Sequence, residues 1–306
     1  MHILILGAGA LGSLLGARLS KTEARVSVLT TNTQHVQSIR QGGLTIEELD
    51  GSRLCYALEA YDAPSSLKAA PDLVIVVVKT YDIEDALAGI VHYCNPNTVF
   101  LTLQNGIGNW ERISRVVGKA GVLVGTTAQG ATLVEPGLIR HGGNGPTFIG
   151  EPQGGPTHRV SSAVDLFQQA GLQTEARDKM QHLIWEKLHA NVGINAITAL
   201  TGIRNGFIAE NSVARELCSA AVNEAIMVAR KKGFEIDPQM PERVLEIARS
   251  TAVNRSSMGQ DVDRGKRTEI DAINGAIVTF GEEAHIPTPV NQTLTRLVKI
   301  LEASYL

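Results

Sequence analysis

Apolar residues arrive early in the chain as strand-length runs: "HILIL" at 2–6 and "ARVSVLT" at 24–30, then the nearly continuous "DLVIVVV" at 72–78, "TVFLTL" at 98–103 and "GVLVGTT" at 121–127. Runs that do not alternate with polar residues suit parallel strands covered on both faces. Between them, "SLLGARLSK", "DIEDALAGIVHY" and "NWERISRVVG" repeat their apolar positions at helical spacing. The alternation of strand and helix predicts an α/β fold with a doubly wound sheet in the first half.

The rhythm changes after Gly150. "EPQGGPTHR" reads as a loop, leading to one more helix and the short strand "LQTEA". Beyond about residue 178 strand signals stop. Asp178 can cap a helix through "HLIWEKLHANVGINAITAL", and Asn211 or Ser212 can cap "VARELCSAAVNEAIMVARKKG". Another helix is predicted over 241–252. Thr268 with Asp271 three residues later resembles a capped start for "RTEIDAINGAIVTFGEEA", and "PTPVNQTLTRLVKILEA" supplies a last helix after two prolines. The predicted organisation is a nucleotide-type domain over 1–178 and an all-helical domain over 179–306.

Composition narrows the search to a small-molecule site. The 306 residues are 43% hydrophobic and 19% charged, with a net charge of −3 that gives no general attraction for nucleic acid or anionic membrane. Cys55, Cys94 and Cys218 show no CxxC spacing and no His/Cys cluster, which argues for a reducing compartment and against a structural zinc site. Four glycines interrupt the apolar stretch 3–17, so it does not read as a signal-peptide core, and the cytoplasm is the expected location. The helical half carries enough apolar residues for a homodimer, although sequence does not separate an interface from a core.

"GAGALG" matches GxGxxG with Gly7, Gly9 and Gly12, directly after a strand and opening a helix. In that context Gly7, Ala8, Gly9, Ala10, Leu11 and Gly12 form a Rossmann-type pyrophosphate cradle. The second strand ends "VLTTNT" rather than in Asp or Glu, so Thr31 and Asn32 offer neutral hydrogen bonds without repelling a 2′-phosphate. No Arg stands ready there, and NADPH is favoured with NADH open. Lys79 leaves an apolar strand in "VVVKTYD" and could meet a phosphate or ribose, or be a surface lysine. Asn105 in "LQNGIGN" could contact cofactor and substrate, or only make a turn.

Within "HLIWEKLHANVGINAITAL", Lys187, Asn191 and Asn195 stand four apart. At about 100° per residue they share one stripe of a helix that is otherwise apolar on nearly every side. Burying an unpaired ammonium is costly, so Lys187 needs a partner, a ligand, or a route for its head to solvent. The asparagines could equally bridge helices.

Taken in order, "GAGALG", "VKTYD", "LQNGIGN", "WEKLHANVGIN", "NRSSMGQDVDRGKRTEIDAINGAIV" and "IPTPVN" resemble the ketopantoate reductases, or 2-dehydropantoate 2-reductases, over essentially the whole chain. The resemblance implies a Rossmann domain followed by a helical domain, with the active site in the cleft. It implies NADPH-dependent reduction of the 2-keto acid 2-dehydropantoate to pantoate. It assigns Lys187 as catalytic acid and Glu269 as its assistant and substrate contact, with Asn105, Asn191, Asn195 and Ser257 holding substrate. Glu269 is expected in the first turn of its helix, where the dipole would favour its charge. His182 and His189 are second choices as acids, and Trp185 reads as packing. One departure stands out: many family members carry Arg after the second strand, where this chain has "TTN". A related reductase of another 2-keto acid is the alternative, and a dinucleotide sensor without catalysis a third.

Overall fold

The apolar runs become strands whose side chains are buried on both faces of the sheet. In the computed structural model, which describes all residues from Met1 to Leu306, the chain divides into two units: Met1–Gln104 with Gly108–Met180, and Asn105–Ile107 with Gln181–Leu306.

The first unit runs β1 (His2–Leu6), α1 (Ala10–Leu19), β2 (Arg25–Leu29), α2 (Thr33–Gly42), β3 (Leu44–Glu47), β4 (Arg53–Tyr56), β5 (Glu59–Tyr61), β6 (Leu73–Val76) and α3 (Ile83–Ile90). It continues through β7 (Val99–Thr102), α4 (Asn109–Val117), β8 (Val122–Glu135), β9 (Leu138–Gly150), α5 (His158–Gln169) and β10 (Thr174–Ala176). Strand side chains alternate between faces, so each central strand feeds two cores. Ile3 and Ile5 of β1 and Ile75 of β6 pack with Leu14 and Leu15 of α1 and Phe167 of α5. Leu4, Leu6, Val74 and Val76, from the same strands, pack with Ile83, Leu87 and Ile90 of α3 and Ile113 of α4. Each such side chain taken fully out of water contributes roughly 1.5–3 kcal/mol.

The strands lie in the order β4-β3-β9-β8-β7-β6-β1-β2-β5, with β10 paired to β9. Pairing is parallel from β5 through β8, as the apolar runs predict. It departs from that expectation at β9, which runs antiparallel to the long β8, and again where β4 returns antiparallel on β3. The reason is visible in β9: Gly142, Gly143, Gly145 and Pro146 give it the composition of a loop, while its ladder to β8 supplies the hydrogen bonds that hold it extended.

The second unit is helical: α6 (Met180–Thr201), α7 (Asn205–Glu210), α8 (Ser212–Lys231), α9 (Met240–Ser250), α10 (Ser257–Asp263), α11 (Asn274–Ala284) and α12 (Pro289–Ala303). Its core gathers Trp185, Leu188, Val192 and Ile197 of α6 with Val222 of α8, Val244 of α9, Ile277 of α11 and Val298 of α12. A Cβ on Gly193 of α6 would lie 2.8 Å from Cys218 Sγ and 2.9 Å from Val244, so the helices meet closely there. Of the two candidates to cap α8, Asn211 does so, accepting from the Ala214 N–H. The predicted cap at Thr268 is corrected: Thr268 Oγ1 accepts from the Ile270 N–H, a short turn at Ile270–Ala272 follows, and α11 begins only at Asn274. No helix is long and apolar enough to cross a membrane.

Candidate active site

The glycines of "GAGALG" are required for different reasons. Gly7 has φ +105°, and a Cβ there would stand 2.6 Å from the Val78 N, so both conformation and space demand glycine. The Gly7 and Ala8 N–H groups both donate to Leu29 O at the end of β2, fixing the loop to its neighbour strand. A Cβ on Gly12 would lie 2.1 Å from Gly7 O, which seats α1 directly on the turn. Gly9 is exposed, with no protein atom within 4 Å of where its Cβ would project. Protein packing gives no reason for a glycine there; a ligand drawn close to the backbone does. The first-turn amides of Ala10, Leu11 and Gly12 have no acceptor within the helix, and no side chain caps α1. Bare amides around an open approach fit a dinucleotide pyrophosphate.

Thr31 and Asn32 follow β2, and Lys79 follows β6, the two strands that flank β1. All three therefore sit with the glycine loop at one carboxyl edge, where open sheets take ligands. Thr31 is exposed. The Asn32 Oδ1 accepts from the His35 N–H and so caps α2. Arg40 is engaged elsewhere: its guanidinium donates to Ala60 O at 2.8 Å and pairs with Asp62 at 3.3 Å.

The stripe on α6 is real. Lys187, Asn191 and Asn195 lie on one uninterrupted helix, with Lys187 and Asn191 half-buried and Asn195 buried. The Nδ2 groups of both Asn191 and Asn195 are buried without a hydrogen-bond partner in the protein, an arrangement that costs stability unless a ligand or water accepts from them. Burial pushes the Lys187 ammonium down to about 8, and the nearby Glu269 carboxylate pulls it part of the way back.

Glu269 is buried and stands just before the short turn at Ile270–Ala272 rather than in the first turn of a long helix. The expectation of support from a helix dipole is therefore corrected, and its counter-charge is Lys187. Asn105 joins this group through its loop. Gly106 has φ +85° with its Cβ position 2.7 Å from Ala272 O, and Ile107 N–H donates to that oxygen at 3.3 Å. Ser257 is exposed at the first position of α10; the cap of that helix is Ser256, whose Oγ accepts from Gly259 N–H.

His182 and His189 fit the acid role poorly. His189 is fully buried, its Nδ1–H donates to Trp185 O at 2.6 Å, and burial pushes its pKa down. His182 faces Glu186 one turn along the helix. Trp185 packs among His189, Phe234 and Phe280.

Several supporting residues escape a reading by pattern. Ser256 Oγ and Thr198 Oγ1 share a hydrogen bond of 2.6 Å, and Thr198 Oγ1 donates back to Ile194 O and Asn195 O, tying the Ser257 segment to the end of the α6 stripe. Arg255 adds contacts to Thr198 O and Ile203 O and pairs with Asp263. Asn274 Nδ2 donates to Val192 O and to Asn291 Oδ1, while Glu224 accepts from the Val290 and Asn291 N–H groups. The available signal was a cluster of amides at buried helical positions, which periodicity does not resolve into pairs.

Comparison with known proteins gives the family of the chain and solved structures of like fold. The models for the ketopantoate reductase family match residues 3–154, and those for its C-terminal part match 179–302. The 2-dehydropantoate 2-reductase of Halobacterium salinarum is 37% identical over 302 residues, covering 99% of both chains. A ketopantoate reductase from Ralstonia eutropha JMP134 superposes with a TM-score of 0.91 at 29% identity, covering 100% of this chain and 99% of its own. D-mandelate dehydrogenase with NADH and anilino(oxo)acetate gives a TM-score of 0.91 at 28% identity, with the same coverage.

Proposed function

The chain belongs to the ketopantoate reductase family, and on that premise we propose that it reduces 2-dehydropantoate to pantoate with NADPH, using Lys187 as the acid. It is an oxidoreductase of pantothenate synthesis. Residues 1–178 bind the dinucleotide and residues 179–306 hold substrate, with Asn105 serving both. The observation that carries this reading is one stripe of α6 bearing an ammonium lowered to about 8 beside Glu269 and two buried, unpartnered amides.

When bound, the reduced nicotinamide supplies the hydride. Negative charge then develops on the oxygen of the reduced ketone, and Lys187 Nζ stabilises that charge and passes it a proton. A group near 8 is mostly protonated at neutral pH yet gives up its proton far more readily than an ordinary lysine. Glu269 keeps the ammonium charged between turnovers. The Nδ2 groups of Asn191 and Asn195 donate to the carboxylate and hydroxyl oxygens of the substrate, adding no further charge. Ser257 and Asn105 complete the polar set.

NADPH is favoured because β2 is followed by Thr30, Thr31 and Asn32, with no carboxylate to repel a 2′-phosphate. The similarity to an NADH-bound D-mandelate dehydrogenase supports a second reading, another 2-keto acid reduced with NADH. Oxidation of NADPH and of NADH with 2-dehydropantoate and a panel of branched and aromatic 2-keto acids separates the two. Fast turnover of 2-dehydropantoate with NADPH is expected. Negligible turnover of it beside rapid reduction of another acid would overturn the substrate.

A further inference from the structure

Beneath the glycine loop lies a buried polar chain that the reaction does not use. His35 of α2 and Ser13 of α1 are both fully buried. The Gly137 N–H, in the turn between β8 and β9, points at His35 Nδ1 at 2.9 Å. A backbone amide can only donate, so Nδ1 must accept and the ring proton must sit on Nε2. Nε2 is 2.9 Å from Ser13 Oγ, which therefore accepts from it. The hydroxyl proton is left free for Ala8 O, 3.3 Å away inside "GAGALG". The backbone N–H of the same His35 donates to Asn32 Oδ1 in the turn after β2.

One neutral imidazole thus spans two segments assigned to the cofactor: the Ala8 carbonyl through Ser13, and Asn32 through its own backbone. Every donor direction in the chain is fixed by its far end. Ordinary packing would need none of this, since an apolar side chain at 35 could fill the same space between α1 and the β8–β9 turn without a buried proton to place.

We propose that His35 is a positioning residue for dinucleotide binding, acting through Ser13 to hold the Ala8 peptide of the glycine loop in register with the Asn32 turn. The inference rests on the reading of that loop as the dinucleotide cradle. It touches no reacting atom, so its influence falls on cofactor affinity and leaves the chemical step alone.

The test is NADPH binding to the full-length protein by titration of nicotinamide fluorescence, alongside thermal melting and steady-state kinetics. Ser13→Ala and His35→Leu are expected to raise the Kd for NADPH about tenfold, the order of one buried hydrogen bond left unsatisfied. The KM for NADPH should rise with it while kcat at saturating cofactor holds. His35→Gln, whose amide also offers an acceptor and a donor, should recover part of the affinity. Ser13→Ala decides the matter if His35→Leu does not fold. Melting temperatures that fall while both variants keep the wild-type Kd would reduce His35 to a structural role and overturn the proposal. If the wild-type protein binds neither NADPH nor NADH, the dinucleotide reading itself falls and takes this inference with it.

Discussion

In the proposed function the glycine loop and the α6 stripe work in opposite ways. The loop works by withholding side chains: Gly7 and Gly12 make room for protein, and Gly9 leaves room for something that is not protein. The stripe works by placing polar side chains where an apolar helix would be more stable, leaving Asn191 and Asn195 with buried donors that nothing in the protein satisfies. A loop proposed to bind can be built at little cost to the fold, whereas the stripe proposed to catalyse would carry its cost until substrate arrives.

The sharpest way to break this contrast is at Lys187. Lys187→Ala should lower kcat by about 10²–10⁴, the usual worth of a positioned acid, with the Kd for NADPH unchanged when measured by fluorescence titration. Comparable loss of cofactor binding would erase the division between loop and stripe.

Next come the glycines. Gly12→Ala places a Cβ 2.1 Å from the backbone oxygen of Gly7, so it should destabilise the protein by about 1–3 kcal/mol or more in thermal or denaturant melts. Gly9→Ala meets no protein atom and should leave the melt alone while weakening NADPH binding about tenfold or more. Equal effects of both on stability would show that Gly9 answers to packing after all.

For the amides, Asn195→Leu should raise the KM for 2-dehydropantoate about tenfold while stabilising the protein by about 1 kcal/mol, because it removes a buried unpaired donor. A destabilised variant would mean that Asn195 is structural.

The smallest effect is expected from acid. Burial lowers the pKa of both His35 and His189 in the folded protein. The unfolded chain therefore binds protons that the fold refuses, so stability is fully present above about pH 6.5 and is lost as pH falls below it. Equilibrium melts from pH 8 to 5 should show this decline, and it should shrink in His35→Gln. A flat profile would place both rings in contact with solvent.

The contrast also explains what was legible in the sequence. "GAGALG" could be read because each glycine is required at a fixed offset between a strand and a helix. Lys187, Asn191 and Asn195 could be placed on one stripe by spacing alone, but spacing could not tell a satisfied network from an open one. That distinction depends on which amide nitrogens have partners, and those partners come from distant segments: Asn274 finds Val192 and Asn291, whereas Asn195 finds no acceptor. Thr268 and Asp271 imitate a helix cap around Glu269, while the chain instead makes a tight turn against which Gly106 and Ile107 pack. Strand β9 is not legible in the sequence because its glycines and proline mimic a loop, and only its pairing with β8 keeps it extended. Of two adjacent serines, the structure made Ser256 the cap and left Ser257 exposed, a choice that no local pattern dictates.

The central claim, that Lys187 delivers the proton, is tested most directly by kcat for 2-dehydropantoate reduction as a function of pH, with NADPH and substrate saturating. An acid lowered to about 8 predicts a plateau below that pH and a fall of about tenfold per pH unit above it, with the descending limb absent from the residual activity of Lys187→Ala. A rate that holds level to pH 10, or that rises through 8, would contradict the account.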